Sequence, residues 1–230
     1  WDRRFDGRVE RTKQRPLARG AIRPTAALVL LIVLLSLSLA VVLSLDEASR
    51  QLCLLLSISA LPAILLYPSA KRWFAYPQAV LAFCWGFAVL IPWAAAERSL
   101  TLQPALIGCW LATLLWTFGF DTVYAMADRR DDAVIGLNSS ALSLGNRAVV
   151  TVRACYLLTI VALGLAAASA GVHPLFWIFW LGAALLMQIS CQSLNHKNAT
   201  MASFGLHFRR QVQLGSLLLL GLIVSRGLSG

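Results

Sequence analysis

Seven uncharged, mostly apolar stretches limit what this sequence can fold into. Of its 230 residues, 59% are hydrophobic and only 13% are charged. A water-soluble domain of this size cannot bury so much apolar surface, so we predict an all-α polytopic membrane protein, a bundle of transmembrane helices. The second and last stretches are short, and Pro62 should kink the second. The stretches are Ala26–Leu45, Leu52–Tyr67, Pro77–Ala96, Leu102–Phe120, Ala154–Ala170, Pro174–Cys191 and Val212–Ser225.

Most of the positive charge falls on one side of this predicted bundle. Alternate interhelical segments, counted from the N-terminal segment, hold 17 of the 20 Lys and Arg residues, and the other side holds Arg50, Arg98 and Arg226. By the positive-inside rule the first side is cytoplasmic. The net charge of +10 therefore mostly reflects the membrane topology. Part of this positive charge can also attract anionic lipid or diphosphate. We expect an integral protein of the bacterial inner membrane that contacts the lipid bilayer and no nucleic acid.

The segment Asp121–Asp132 concentrates negative charge, with four of the ten acidic residues in twelve positions. On a helix, Asp121, Asp128 and Asp132 would fall within an arc of about 40°. Their mutual repulsion and their oxygen-only ligands favour a bound Mg²⁺ that leaves sites for a phosphate. The alternative is a solvated acidic turn at a helix end. We treat residues 121–147 as one cytoplasmic interhelical loop.

Two further groups of charged residues are predicted to lie on the same face. Residues 1–25 form a polar cytoplasmic loop in which Asp2 and Asp6 are spaced i,i+4, again one helical face. Lys71 and Arg72 follow the second span, and they could capture a diphosphate, Lys as a point charge and Arg as a bidentate fork. Alternatively, the pair snorkels at a helix end.

The cysteines and two of the histidines carry no recognisable motif. The five cysteines lie in or beside apolar spans without metal-ligand spacing, which indicates small core residues rather than a disulfide framework. His196 and His207 fall in a predicted last cytoplasmic loop, Gln192–Arg210, and are interpreted as ordinary loop residues.

Two classes of function remain open at this point. The first is an enzyme that acts on a lipid diphosphate, because acidic and basic groups converge on one membrane face beside apolar spans. The second is a multi-pass transporter, but transport sites usually place ionisable residues near the bilayer midplane. Here the span centres are uncharged, which favours chemistry at the cytoplasmic interface.

Three motifs, in order, then resemble the UbiA superfamily of intramembrane prenyltransferases. Asp121-Thr-Val-Tyr-Ala-Met-Ala-Asp128-Arg-Arg-Asp-Asp132, followed by Gly136 and Ser139-Ser140, is similar to the second aspartate-rich motif, in its 4-hydroxybenzoate polyprenyltransferase version. Trp1–Asp6, followed by Arg15-Pro16-Leu17, resembles the tail of the first aspartate-rich motif. Tyr67-Pro-Ser-Ala-Lys71-Arg72 resembles the branch's tyrosine-and-lysine motif.

The resemblance implies a fold, a reaction and a set of site residues. Family members have nine transmembrane helices, so this chain is expected to be a single prenyltransferase domain, residues 1–230, that begins after the second helix. Mg²⁺ would bridge the aspartates to a polyprenyl diphosphate, whose prenyl group passes to the ring carbon ortho to the hydroxyl of 4-hydroxybenzoate, in quinone biosynthesis. Other acceptors stay open: homogentisate, a chlorophyllide, haem or a glycerol phosphate ether. The implied metal ligands are Asp2, Asp6, Asp121, Asp128 and Asp132, the catalytic residues Lys71, Arg72, Tyr67 and Tyr124, and the substrate-binding residues Lys71, Arg72 and Arg129.

Overall fold

The computed structural model describes residues 3–8, 12–194 and 200–229. Within these residues, seven helical segments are long and apolar enough to cross a membrane, which confirms the predicted class and number of spans. Short helices and turns lie at one end of the bundle. The helices are α1 (Arg3–Asp6), α2 (Pro24–Leu43), α3 (Glu47–Ala70), α4 (Pro77–Glu97), α5 (Pro104–Ile135), α6 (Ser140–Leu144), α7 (Ala148–Ser169), α8 (Phe176–Ser190) and α9 (Met201–Ser229), with 3₁₀ turns at Gly145–Arg147 and Cys191–Leu194.

Local sequence signals set several of the helix boundaries. Proline opens α2, α4 and α5, where its missing N–H costs nothing because the first turn has no intrahelical acceptor. Asp46 caps α3 and accepts hydrogen bonds from the Oγ of Ser49 at 2.9 Å and from its backbone N–H at 3.4 Å. The hydroxyl hydrogen bond from Ser49 is the main cause that lowers the pKa of Asp46.

Three predicted boundaries are wrong, because helices continue past their apolar stretches. Residues 121–147 are not one loop, since α5 extends to Ile135 and carries the acidic cluster. The last helix starts at Met201 rather than Val212, so most of the predicted loop Gln192–Arg210 is helical. The second span also runs without interruption from Glu47 to Ala70, with Pro62 inside it.

Helix α5 is the centre of the bundle and packs against α4, α7 and α9. Small residues let α5 and α7 approach closely: a Cβ added at Gly108 would lie 2.7 Å from the backbone oxygen of Ala162, and one at Gly119 would lie 2.8 Å from the ring of Tyr156. Such small-residue contacts are the usual means of close packing between helices in lipid. One core joins α5, α7, α8 and α9, and a second, smaller core joins α3 and α4.

Candidate active site

The carboxylates predicted to bind metal lie where α5 extends beyond the apolar layer. The helix has 32 residues, a length of about 48 Å against a hydrocarbon thickness of about 30 Å. Its first part carries no charge as far as Phe120, and Asp121 begins the polar part. Because successive spans alternate in direction, this end of α5 lies beside the C-terminus of α3 and the N-termini of α4, α7 and α9. We call it the acidic end of the bundle.

Asp128 and Asp132 are buried side chains one turn apart on α5. Asp128 is 4% exposed and Asp132 is 2% exposed, while Asp121 is half-buried two turns earlier. Carboxylates about 6 Å apart repel by roughly 3 kcal/mol at an effective dielectric of about 20. The pair therefore creates a concentrated negative charge that a cation would relieve, and the predicted helical face is present.

The end of α5 fixes the backbone beside this pair. Gly136 adopts a left-handed conformation, with φ of 72°, which glycine tolerates because it has no Cβ. The N–H groups of Gly136 and Leu137 both donate to the carbonyl oxygen of Asp132. This cap ends the helix three residues after Asp132, at Ile135, and turns the chain back across the acidic end.

Arg15 links the first aspartate-rich segment to α5. Its Nη1 donates to Oδ1 of Asp6 at 3.0 Å, and its Nη2 donates to the hydroxyl of Tyr124 at 3.3 Å. Thr12 also donates from Oγ1 to the carbonyl of Asp6 at 2.9 Å. One guanidinium therefore contacts both motifs. Arg15 belongs to a motif noted in the sequence, but no role was predicted for it, because no spacing rule connects side chains so far apart in the chain.

The connection between α3 and α4 closes the acidic end from a third direction. The guanidinium of Arg72 lies over the ring of Phe5, 4.9 Å from its centroid, a cation–π distance. The backbone N–H of Asn138 donates to the carbonyl of Lys71 at 2.7 Å. The three motifs, although distant in sequence, meet in one place.

A second layer of buried polar side chains supports the turn after α5. Gln78 accepts a hydrogen bond from the backbone N–H of Ser140 at 2.7 Å, and the hydroxyls of Thr122 and Ser140 lie 2.8 Å apart. These three residues are buried, so the hydrogen bonds are shielded from water. Sequence analysis gave none of them a function, although Gln78 and Ser140 adjoin the motifs.

The remaining predicted residues lie on α3 and α5, at the same end of the bundle. Tyr67 is half-buried on α3, one turn before Lys71, and Arg129 is half-buried on α5 beside Asp128. Lys71 itself is half-buried at the end of α3. Asp2 lies outside the described residues. The catalytic roles assigned to these side chains stay predictions.

Two apolar cavities lie beside the acidic end. One, of about 390 Å³, separates α5 from α9 and is lined by Phe120, Tyr124 and Phe208 among others. The other, of about 320 Å³, lies between α4, α5 and α9 and is lined by Trp85, Trp116 and Phe120. Phe120 contributes to both, so apolar space extends from Tyr124 into the bundle.

His207 is a buried residue in a hydrogen-bond network on α9, so its interpretation as a loop residue is wrong. It is 1% exposed on α9, with Nδ1 3.2 Å from the carbonyl of Ser190 and Nε2 2.9 Å from the hydroxyl of Tyr156. Since a carbonyl only accepts, Nδ1–H donates and Nε2 accepts from the tyrosine. Gln211 continues the network, donating to Oγ of Ser190 at 3.1 Å and accepting from Nε1 of Trp116 at 3.0 Å. These bonds connect α5, α7, α8 and α9 at the cavity wall.

The acidic end fits a hard divalent cation held by few protein ligands. Across the described ranges, no group of three or more His, Cys, Asp or Glu side chains is close enough to hold a metal ion. Mg²⁺ is commonly held by one or two carboxylates together with water and substrate phosphate. Asp128 and Asp132, buried and one turn apart, match that donor set.

Comparison with known proteins identifies the family to which this sequence is similar. The UbiA prenyltransferase family matches residues 1–210. A 4-hydroxybenzoate solanesyltransferase from Synechocystis sp. is 40% identical over 97% of this chain and 75% of its own length. A 4-hydroxybenzoate octaprenyltransferase from Janthinobacterium sp. is 34% identical over 85% of this chain and 65% of its own length. The chain thus spans only part of its curated relatives, down to 59% for one from Azoarcus sp..

Solved structures agree on the fold. The apo structure of a UbiA homolog from Aeropyrum pernix K1 superposes with a TM-score of 0.77 at 23% identity, covering 95% of this chain and 80% of that one. A digeranylgeranylglyceryl phosphate synthase structure gives a TM-score of 0.66 at 18% identity, covering 97% of this chain and 77% of that one. The family match over most of the chain, the relatives and the shared helical fold lead to one conclusion: this chain belongs to the UbiA prenyltransferase family.

Proposed function

We propose that this protein transfers a polyprenyl group from a polyprenyl diphosphate to the ring carbon ortho to the hydroxyl of 4-hydroxybenzoate, in quinone biosynthesis. Support comes from the names of relatives at up to 40% identity. The observation that carries the proposal is the meeting of three motifs at the acidic end, where Arg15 contacts both Asp6 and Tyr124 beside the buried Asp128 and Asp132.

The reaction is proposed to need Mg²⁺, in keeping with the divalent-metal dependence general in the family. The ion, when bound, neutralises charge on the diphosphate and so favours breaking of the allylic carbon–oxygen bond. Asp128 and Asp132 would hold it on α5. Asp6, and Asp2 four positions earlier in the sequence, would complete the site from the N-terminal segment. Asp121, two turns before Asp128 on α5, is proposed as a further metal ligand.

The chain's own cations are proposed to bind the diphosphate as it departs. Lys71, Arg72 and Arg129 belong to the acidic end, where fixed positive charge stabilises the negative charge that develops on the leaving group. The allylic carbon–oxygen electron pair leaves with the diphosphate, and the ring carbon of the acceptor forms the new carbon–carbon bond. Loss of the ring proton restores aromaticity. Tyr124 and Tyr67 are proposed to position the substrates.

The apolar cavities are proposed to hold the prenyl chain. Tyr124 lines the larger one and also contacts Arg15, so polar and apolar surfaces adjoin at a single residue. A donor with a charged head and an apolar tail matches this pairing. We also propose that the acidic end faces the cytoplasm in the bacterial inner membrane, because most Lys and Arg residues lie on that side.

Asp128→Asn tests the proposed function in a chain extended to the length of the curated relatives. Removing a metal-binding carboxylate at the site of charge development should lower turnover by at least about 10²-fold. Asp46→Asn is the matched control, since it lies at the opposite end of the bundle and asparagine also caps helices well. Equal losses at both positions, or full turnover after exhaustive chelation, would contradict the assignment. Supplying homogentisate as a competing acceptor tests the substrate.

A further inference from the structure

A groove on the outside of the bundle, between α8 and α9, is not used by the proposed reaction. It has a volume of about 400 Å³. Its apolar wall is open to the surrounding lipid, because Leu186 and Ile189 are 49% and 50% exposed. Leu217 lines the opposite side, on α9, and Arg210 and Ser190 line the polar part.

The position of Arg210 along the membrane normal follows from hydrogen bonds of its neighbours. His207 and Gln211 on α9 both contact Ser190, the last residue of α8. Arg210 therefore lies level with the end of α8, at the edge of the apolar layer on the same side as the acidic end. Leu186 and Leu217 lie one to two turns further into that layer. The groove is thus charged at the interface and apolar within.

The charge of Arg210 is not compensated inside the described part of the protein. Arg210 makes no hydrogen bond or ion pair there. More generally, residues 133–230 contain six Lys and Arg residues and no Asp or Glu. No Asp or Glu within residues 133–230 is available to pair with them.

We propose that the α8–α9 groove binds an anionic phospholipid of the surrounding leaflet. The guanidinium of Arg210 suits a phosphate because it donates two parallel hydrogen bonds, and the leucine-lined part suits an acyl chain. The site is separate from the cavity between α5 and α9: Arg210 and Leu217 lie roughly 120–180° around α9 from Phe204 and Phe208, which line that cavity. The proposal does not depend on which acceptor the enzyme prenylates.

Lipid binding to the purified chain in detergent tests the proposal. Native mass spectrometry would measure affinities for phosphatidylglycerol and phosphatidylcholine with matched acyl chains. We expect tighter binding of phosphatidylglycerol, and a loss of about tenfold or more in Arg210→Gln, consistent with one charge-assisted contact. Arg209→Gln, at an exposed neighbouring position, is the control and should bind phosphatidylglycerol nearly as wild type does. Leu217→Trp, which fills the apolar part, should weaken binding of both lipids.

Three outcomes would overturn the proposal. Equal binding of the two lipids by the wild type would remove the role of charge. Equal losses in Arg210→Gln and Arg209→Gln would indicate general surface attraction instead of a site. Geranyl diphosphate at an equal concentration could displace phosphatidylglycerol from the wild type and not from Arg210→Gln. That result would assign the groove to the prenyl donor. Thermal melting of each variant verifies that it is folded, and no step of the test uses prenyl transfer.

Discussion

Replacement of Arg15 by lysine tests whether one guanidinium couples the two aspartate-rich motifs. Arg15 reaches Asp6 at 3.0 Å and Tyr124 at 3.3 Å through different nitrogens. Lysine keeps the charge but presents a single compact ammonium group, which cannot reproduce the planar fork. Arg15→Lys should therefore keep one contact and lose the other.

The expected effect is small on stability and larger on catalysis. The ion pair is partly solvated, since the side chains of Arg15 and Asp6 are 49% and 22% exposed. Pairs of this kind contribute about 0–1 kcal/mol, so the free energy of unfolding should change by less than about 1 kcal/mol. A charge-assisted hydrogen bond contributes about 1.5–3 kcal/mol when shielded, and solvent reduces that here, which predicts a loss of roughly 3- to 10-fold in kcat/KM.

A double-mutant cycle isolates the link between Arg15 and Tyr124. Prenyl transfer would be measured for Arg15→Lys, Tyr124→Phe and the double variant, each in a chain of the relatives' full length. Coupling predicts that the double variant loses less than the product of the single losses. Arg19→Lys, an exposed arginine one turn along the chain, is the control. Losses that simply multiply would refute the link, even if each single variant is impaired.

Three other measurements follow from the structure. Arg72→Lys should raise the Michaelis constant for one substrate by about 10-fold if its fork binds an anion, whereas unchanged constants would indicate a helix-end residue that only snorkels. Asn146 and Thr101 are both exposed, at opposite ends of the bundle. A cysteine at Asn146 should be protected from an impermeant reagent applied outside, and a cysteine at Thr101 should be accessible to it. The reverse result would contradict the proposed topology. Gly108→Ala should lower the melting temperature through overpacking of about 1–3 kcal/mol, because its Cβ would lie 2.7 Å from a backbone oxygen, whereas Gly182→Ala, with its nearest neighbour at 3.9 Å, should be neutral or stabilising. Equal melting temperatures for these two variants would contradict the close packing of α5.

The sequence predicted the fold class well because lipid solvent leaves few alternatives. An uncharged stretch of span length must form a helix, since every backbone group in the bilayer needs an internal partner. Boundaries were less predictable, because a helix need not stop where its apolar stretch does. Beyond Phe120 and before Val212, polar residues continue the helices α5 and α9 into the acidic end. Hydropathy detects the part of a helix that lies in lipid. It does not detect the polar turns that continue the same helix beyond the apolar layer.

The candidate site was predictable only where one helix carries it. Asp128 and Asp132 share a face because of helical periodicity, which can be computed from their spacing. Arg15 and His207 could not be found this way, because their partners lie on other elements. The distance in sequence from Arg15 to Tyr124, or from His207 to Tyr156, follows no local rule. Only tertiary packing brings these side chains together.

The arrangement of α5 also explains why the acidic end and the apolar cavities adjoin. Phe120, Tyr124 and Ala127, spaced i, i+4 and i+7, line the cavity against α9. Asp128 and Asp132 form the neighbouring stripe, roughly 100° further around the same helix. Under the proposed function, a donor bound at the carboxylates by its head would therefore have its tail beside this cavity. The position of the two carboxylates relative to this cavity is set by one helix, so a kink in α5 between Phe120 and Asp128 would separate them even if every side chain were retained.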